Sequence, residues 1–121
     1  MPSPPSEQEA APALLHPARA DLDLTEVLCA IAEPNRLRVV ALLLALPPGS
    51  GRPYPWFDLP VRKAGRTHHF RVLREAGLIA VEQHGNRATA RLRSEDIEER
   101  FPGLLSAVQA GAQPHLRPNE P

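Results

Sequence analysis

Wound at about 100° per residue, the stretch from Val61 to Ile79 separates into two unlike faces. His69, Val72, Leu73 and Ala76 form one stripe, with Phe70 at its edge. Thr67, His68, Arg71 and Arg74 fall on the other side, with Lys63 beside them. Such a helix can bury its first face and offer cations and hydrogen-bond donors from its second. Gly77 marks its end, because glycine enters the left-handed cap without steric cost. A basic, donor-bearing helix of this length fits the major groove of a DNA duplex. An ordinary amphipathic surface helix has the same periodicity, so the pattern needs support from the rest of the chain.

Upstream, Leu24, Val27, Leu28 and Ile31 recur at i, i+3, i+4 and i+7, which predicts a helix over Asp21 to Ala32. Asp21 or Asp23 can cap it, and Cys29 reads as a small packing residue. Pro34 suits the first position of a second helix, with Leu37, Val40, Ala41 and Leu44 as its inner stripe. Val39, Leu42 and Leu43 add apolar surface on its other sides, so this helix is expected to be central. Pro47-Pro48-Gly49 stops it. Prolines then break up residues 53–60, leaving room for a short helix over Pro55 to Leu59 with Trp56, Phe57 and Leu59 facing in. The basic helix over Arg62 to Leu78 follows, with no Ser, Thr, Asn or Asp at its expected cap.

Beyond it, Ile79, Val81 and Gln83 alternate with Ala80, Glu82 and His84, Gly85-Asn86 is a hairpin-turn signal, and Arg87 to Arg93 alternates again. The reading is a two-stranded ribbon with Arg87, Thr89, Arg91 and Arg93 along one face. Ser94 can cap a last helical region whose apolar face is Ile97, Phe101, Leu104, Leu105 and Val108. Pro102 interrupts it, so a turn and then a helix to about Ala110 are expected. The fold class is mainly α with a small β-hairpin. Residues 21–110 form one domain, between a disordered proline-rich tail over residues 1–20, of which Ala13 to Leu15 is the stretch able to dock, and a flexible tail over residues 111–121.

Net charge is zero, yet its distribution is uneven. Residues 1–33 carry six acids and one arginine, net −5. Residues 60–93 carry eight Arg/Lys against two Glu, net +6, and residues 94–121 carry five acids against two Arg, net −3. A basic section between acidic ones is a patch for a polyanion. Of the fourteen cations thirteen are arginine, whose fork suits phosphate and guanine, although a GC-rich genome gives the same bias. The longest apolar run, Val39 to Pro48, is too short to span a bilayer, and no signal peptide is visible, so the cytoplasm is the expected compartment.

Helix, helix, short helix, basic helix, ribbon, helix is the order of a winged helix-turn-helix. Pro34-Asn35-Arg36-Leu37-Arg38-Val39-Val40 resembles the second-helix motif of ArsR-type bacterial repressors. His69-Phe70-Arg71-Val72-Leu73-Arg74-Glu75-Ala76-Gly77-Leu78-Ile79 resembles their recognition helix and its exit, and Gly85-Asn86-Arg87 sits where their wing turns. The resemblance covers about residues 22–110. It implies a homodimer, built by the first and last helices, that represses transcription until an inducer binds. On that reading Lys63, Arg66, Thr67, His68, Arg71, Arg74, Asn86, Arg87 and Arg91 meet DNA, an inverted-repeat operator. Leu24, Val27, Leu28, Leu104, Leu105 and Val108 line the dimer interface. The start of the recognition helix departs from the family: Arg62, Ala64 and Gly65 replace small hydroxyl residues, and Arg66 stands where an aliphatic residue is usual. A protein-interaction module or co-regulator that binds DNA only with a partner is therefore the alternative.

The single Cys29 gives no internal disulfide and no multi-thiolate site. The family's thiolate site is absent, since Trp56-Phe57-Asp58-Leu59 occupies its place. His68 and His69 point about 100° apart on a helix and do not chelate one ion easily; His69 reads as a core or backbone-bonded histidine. His16 and His115, with Asp21 or Asp23, form the alternative set for a divalent transition ion such as nickel or zinc, against the plain reading of two exposed histidines. No paired carboxylates share an inward face and no glycine-rich phosphate loop occurs, so an enzyme is not expected.

Overall fold

The computed structural model describes residues 14–112. Residues 1–13 of the tail expected over 1–20, residues 113–121 of the tail expected over 111–121, and His115 with them, lie outside these residues. Five α-helices and three strands follow in order: α1 Leu24–Ile31, α2 Pro34–Leu44, β1 Gly51–Pro53, α3 Lys63–Ala76, β2 Ile79–His84, β3 Arg87–Leu92, α4 Ser94–Arg100 and α5 Leu104–Gly111. Two 3-10 turns, Arg19–Asp21 and Tyr54–Phe57, complete the described chain. None of these helices is long and apolar enough to cross a membrane.

Side-chain caps set where the first helices begin. Asp23 accepts from the Glu26 N–H at 3.0 Å and starts α1, and Glu33 accepts from the Arg36 N–H at 3.0 Å and starts α2. Pro34 occupies the first turn of α2, where its missing N–H is no loss. As expected, α2 is central: Val39, Val40, Ala41 and Leu43 are buried on several sides of it. Ser94 does not cap α4; it is the first helical residue, and Arg93 stands before it without a side-chain cap bond.

The core gathers Val27 and Ala30 of α1, the α2 residues, Phe57, Phe70 and Leu73 of α3, and Ile79, Val81, Ala90 and Leu92 of the sheet. Ile97 and Leu105 close it from the C-terminal helices. Val27 is 0% exposed and Leu105 6%. Both were expected at a dimer interface, and both instead fill the chain's own interior. Cys29, expected to pack, is exposed.

β2 and β3 pair antiparallel from Ile79 opposite Leu92 to His84 opposite Arg87. Gly85 supplies the positive φ, +64°, that so tight a turn needs. The ribbon has a third strand: β1 pairs with β3, Gly51 opposite Arg91 and Pro53 opposite Thr89. Three residues ending in proline carry no alternation to read, and proline is tolerated there because β1 is an edge strand.

The aromatic turn differs from expectation. Trp56 is 42% exposed, while Tyr54 stacks on Phe70 with ring centroids 3.9 Å apart and planes 5° apart. At about three residues per turn, positions i and i+3 share a side, so Tyr54 and Phe57 turn inward together and Trp56 turns out. The Arg52 guanidinium lies 5.3 Å from the Trp56 ring centroid.

Residues 14–20, expected within a tail, are docked. The Val81 N–H donates to His16 Nε2 at 3.0 Å, and Arg93 donates to the Pro17 carbonyl at 2.8 Å. Arg19 pairs with Asp96 at 2.6 Å and also with Glu99, while Arg100 holds the Arg19 and Ala20 carbonyls at 3.0 and 2.9 Å. Leu22 then enters the core, 3% exposed.

Candidate nucleic-acid interface

The basic helix α3 forms much as its spacing predicts. Phe70, Leu73 and Ala76 are buried, and Thr67, His68 and Arg71 are exposed. No side chain caps its start at Arg62. Its end is a Schellman motif: Gly77 takes φ +89°, its N–H bonds the Arg74 carbonyl at 3.0 Å, and the Leu78 N–H bonds the Leu73 carbonyl at 3.0 Å. This closure turns the chain directly into β2 and fixes the hairpin beside the helix.

Between α3 and the hairpin lies an open cleft of about 730 Å³. From α3 it receives Lys63, Arg66, Thr67, Arg71 and Arg74, and from the hairpin Gln83, Asn86, Arg87 and Ala88. Five cations therefore line one concavity, and no carboxylate is among its lining residues. His68 and Arg91, also expected at a DNA surface, are exposed but lie outside this cleft. Pro53, Tyr54, Pro55 and Leu14 form other parts of its wall. Pro53, Tyr54 and Pro55 were not foreseen, and Leu14 only as part of a stretch able to dock; the signal available was an aromatic residue between two prolines just ahead of the basic helix.

Two of the arginines are not free rods in solvent. Arg74 has a side chain only 14% exposed, 4.0 Å from Glu75, and donates to the Leu15 carbonyl. It holds the N-terminal segment against the helix, which leaves it less able to reach a phosphate than expected. Arg66, beside the apolar stripe, does not snorkel fully: its Nε is buried without a hydrogen-bond partner.

The inner face of α3 is held by a polar joint. Arg36 donates from Nε to the Ala30 carbonyl at 2.6 Å and from Nη1 to His69 Nδ1 at 3.1 Å. One side chain thus links the end of α1, the start of α2 and the middle of α3. His69, expected in the core or bonded to backbone, has this guanidinium as its partner, with Glu33 3.8 Å away. Because arginine is always a donor, Nδ1 must be the accepting nitrogen. Burial lowers the His69 pKa; Glu33 opposes the shift, and Arg36 and His68 reinforce it.

His16 is committed elsewhere than to a metal. Its Nε2 accepts from Val81, and burial lowers its pKa, opposed by a backbone hydrogen bond at Leu14 and aided by Arg74, Arg93 and Arg91. Among the described residues no group of three or more His, Cys, Asp or Glu side chains is placed to hold an ion.

The element order, with α2 and α3 packed together, the β2–β3 hairpin after them and β1 from between them completing its sheet, is that of a winged helix-turn-helix fold. The chain is similar to the crystal structure of a possible transcriptional regulator for arsenical resistance, with a TM-score of 0.54 and 24% identity, over 78% of this chain and 91% of that one. At that identity the likeness is one of fold. No family model matches the sequence, and no curated protein matches it.

Proposed function

We propose that this protein is a sequence-specific DNA-binding transcriptional regulator of the ArsR type, acting as a repressor that an inducer releases. The observation that carries the reading is the carboxylate-free cleft in which Lys63, Arg66, Thr67 and Arg71 of α3 meet Asn86 and Arg87 of the hairpin. A helix inserted in the major groove presents such donors to base edges, while the flanking hairpin follows the phosphate backbone. Thr67, His68 and Arg71 read bases, and Lys63, Arg66 and Arg87 hold phosphates. Arg91 backs the wing.

The protein acts as a homodimer whose contact face centres on Leu24 and Leu28, 45% and 43% exposed on α1, joined by the half-buried Leu104 and Val108 of α5. Two copies then read an inverted repeat with half-sites about 34–36 Å apart, or a multiple of that. The solved neighbour's description as a possible transcriptional regulator supports the same class. The test is a fluorescence-anisotropy titration of the purified protein on duplexes tiling the DNA upstream of its own gene. One duplex is expected to bind far more tightly than the rest, and Arg71→Ala to weaken it by about 1–3 kcal/mol. Equal, weak binding to all duplexes, unchanged by Arg71→Ala, refutes the proposal.

A further inference from the structure

We infer that the cleft between α3 and the hairpin also takes a small organic anion with a flat apolar body, and that this ligand competes directly with DNA. A surface built only to ride a phosphate backbone needs cations on a protruding face. This one also has an apolar wall. Leu14, Pro53, Tyr54 and Pro55 line a concavity of about 730 Å³, within the range of small-molecule sites. The Tyr54 ring is fixed in place by its stack on Phe70, which makes it a preformed platform for a flat body.

The polar side of the site is equally specific. Arg66 lines the cleft with a buried Nε that has no acceptor. The Nε itself is sealed from solvent, so Arg66 acts on a ligand in the cleft through the positive charge of its guanidinium. Lys63, Arg71 and Arg87 add positive potential, and no acid among the lining residues cancels it. An apolar wall beside these cations selects an anion that carries hydrocarbon, in preference to a bare inorganic ion. A duplex lying on α3 covers the mouth of the cleft, so the two ligands exclude each other. That competition rests on the DNA-binding reading of the same surface; the binding of the anion does not.

The experiment titrates 2-naphthoate into the full chain by calorimetry and by amide NMR. Controls are 2-naphthalenemethanol, which lacks the charge, and inorganic phosphate, which lacks the body. Naphthoate is expected to bind about tenfold or more tightly than either control, as a charged hydrogen bond implies, and to shift resonances at Tyr54, Lys63, Arg66 and Ala88. Arg66→Met and the exposed wing variant Arg87→Ala, each checked for an intact melt, should both weaken it severalfold. Equal binding of the alcohol or of phosphate, loss in neither variant, or shifts confined to α1 and α5 overturns the assignment. In the second arm, naphthoate is expected to displace a labelled duplex at concentrations that rise with duplex. Bound naphthoate with undisplaced duplex overturns the competition. Bound naphthoate on a protein that holds no duplex upholds the ligand and removes the DNA reading instead.

Discussion

Replacing Gly77 by alanine should destabilise the fold by two separable effects. Gly77 sits at φ +89°, where a Cβ costs roughly 1–2 kcal/mol. The new methyl would also overlap Leu22 Cδ2, and it would come within 3.1 Å of Pro17 Cγ. Leu22 is buried and cannot move into solvent freely, so overpacking adds about 1–3 kcal/mol. The sum is about 2–5 kcal/mol, a drop in Tm of at least about 8 °C for a domain of this size. Gly85→Ala isolates the first effect, since φ is also positive there and nothing lies within 4 Å of the added carbon. Urea unfolding should therefore place Gly77→Ala well below Gly85→Ala. In a double-mutant cycle, Gly77→Ala with Leu22→Ala should cost about 1–3 kcal/mol less than the sum of the singles, because the colliding methyl has gone. If Gly77→Ala costs no more than Gly85→Ala, or the cycle is additive, then Leu22 does not seat on Gly77.

Acid should weaken the fold in a defined window. Burial lowers the pKa of both His16 and His69, and both accept hydrogen bonds that protonation would remove. The folded state therefore holds them neutral. Their contribution is complete above about pH 6.5, the unfolded value, and is lost as pH falls through the lower folded values; melts from pH 8 to 5 should show this, with a smaller fall in His16→Gln/His69→Gln. Leu28→Glu, on an exposed side of α1, should shift sedimentation toward a smaller species and leave the melt nearly unchanged. Val27→Ala, beside it but buried, should cost about 1–3 kcal/mol of stability and leave the oligomeric state alone; the reverse outcome would place the contact face elsewhere.

Helical spacing exposed α1, α2, α3 and the C-terminal helices, because each pairs an apolar stripe with a polar one. Gly77 and Gly85-Asn86 marked real turns because their backbone angles demand them. The basic side of α3 was legible for the same reason. What escaped was interaction through the backbone. Residues 14–20 dock largely by offering carbonyls of Leu15, Pro17, Arg19 and Ala20 to arginines, and a carbonyl has no signature in sequence. Arg74 looked like a phosphate contact because periodicity cannot say that a distant segment already uses it. Trp56 turned out rather than in because a 3-10 turn repeats every three residues and sets Tyr54 and Phe57 on its inner side. Val27 and Leu105 looked like interface residues because one apolar stripe serves a core and a partner alike.

On the proposed function the α3 and hairpin cations meet a nucleic-acid backbone, and the salt dependence of duplex affinity tests this. With Arg74 held by Leu15, Lys63, Arg66, Arg71 and Arg87 remain, so the slope of log K against log salt should be roughly −3 to −4 per protomer. Arg71→Ala and Arg87→Ala should each make it shallower by about one unit, to the extent that each neutralises a phosphate. A flat response, or a steep one that neither variant changes, would mean that the duplex does not enter between helix and wing.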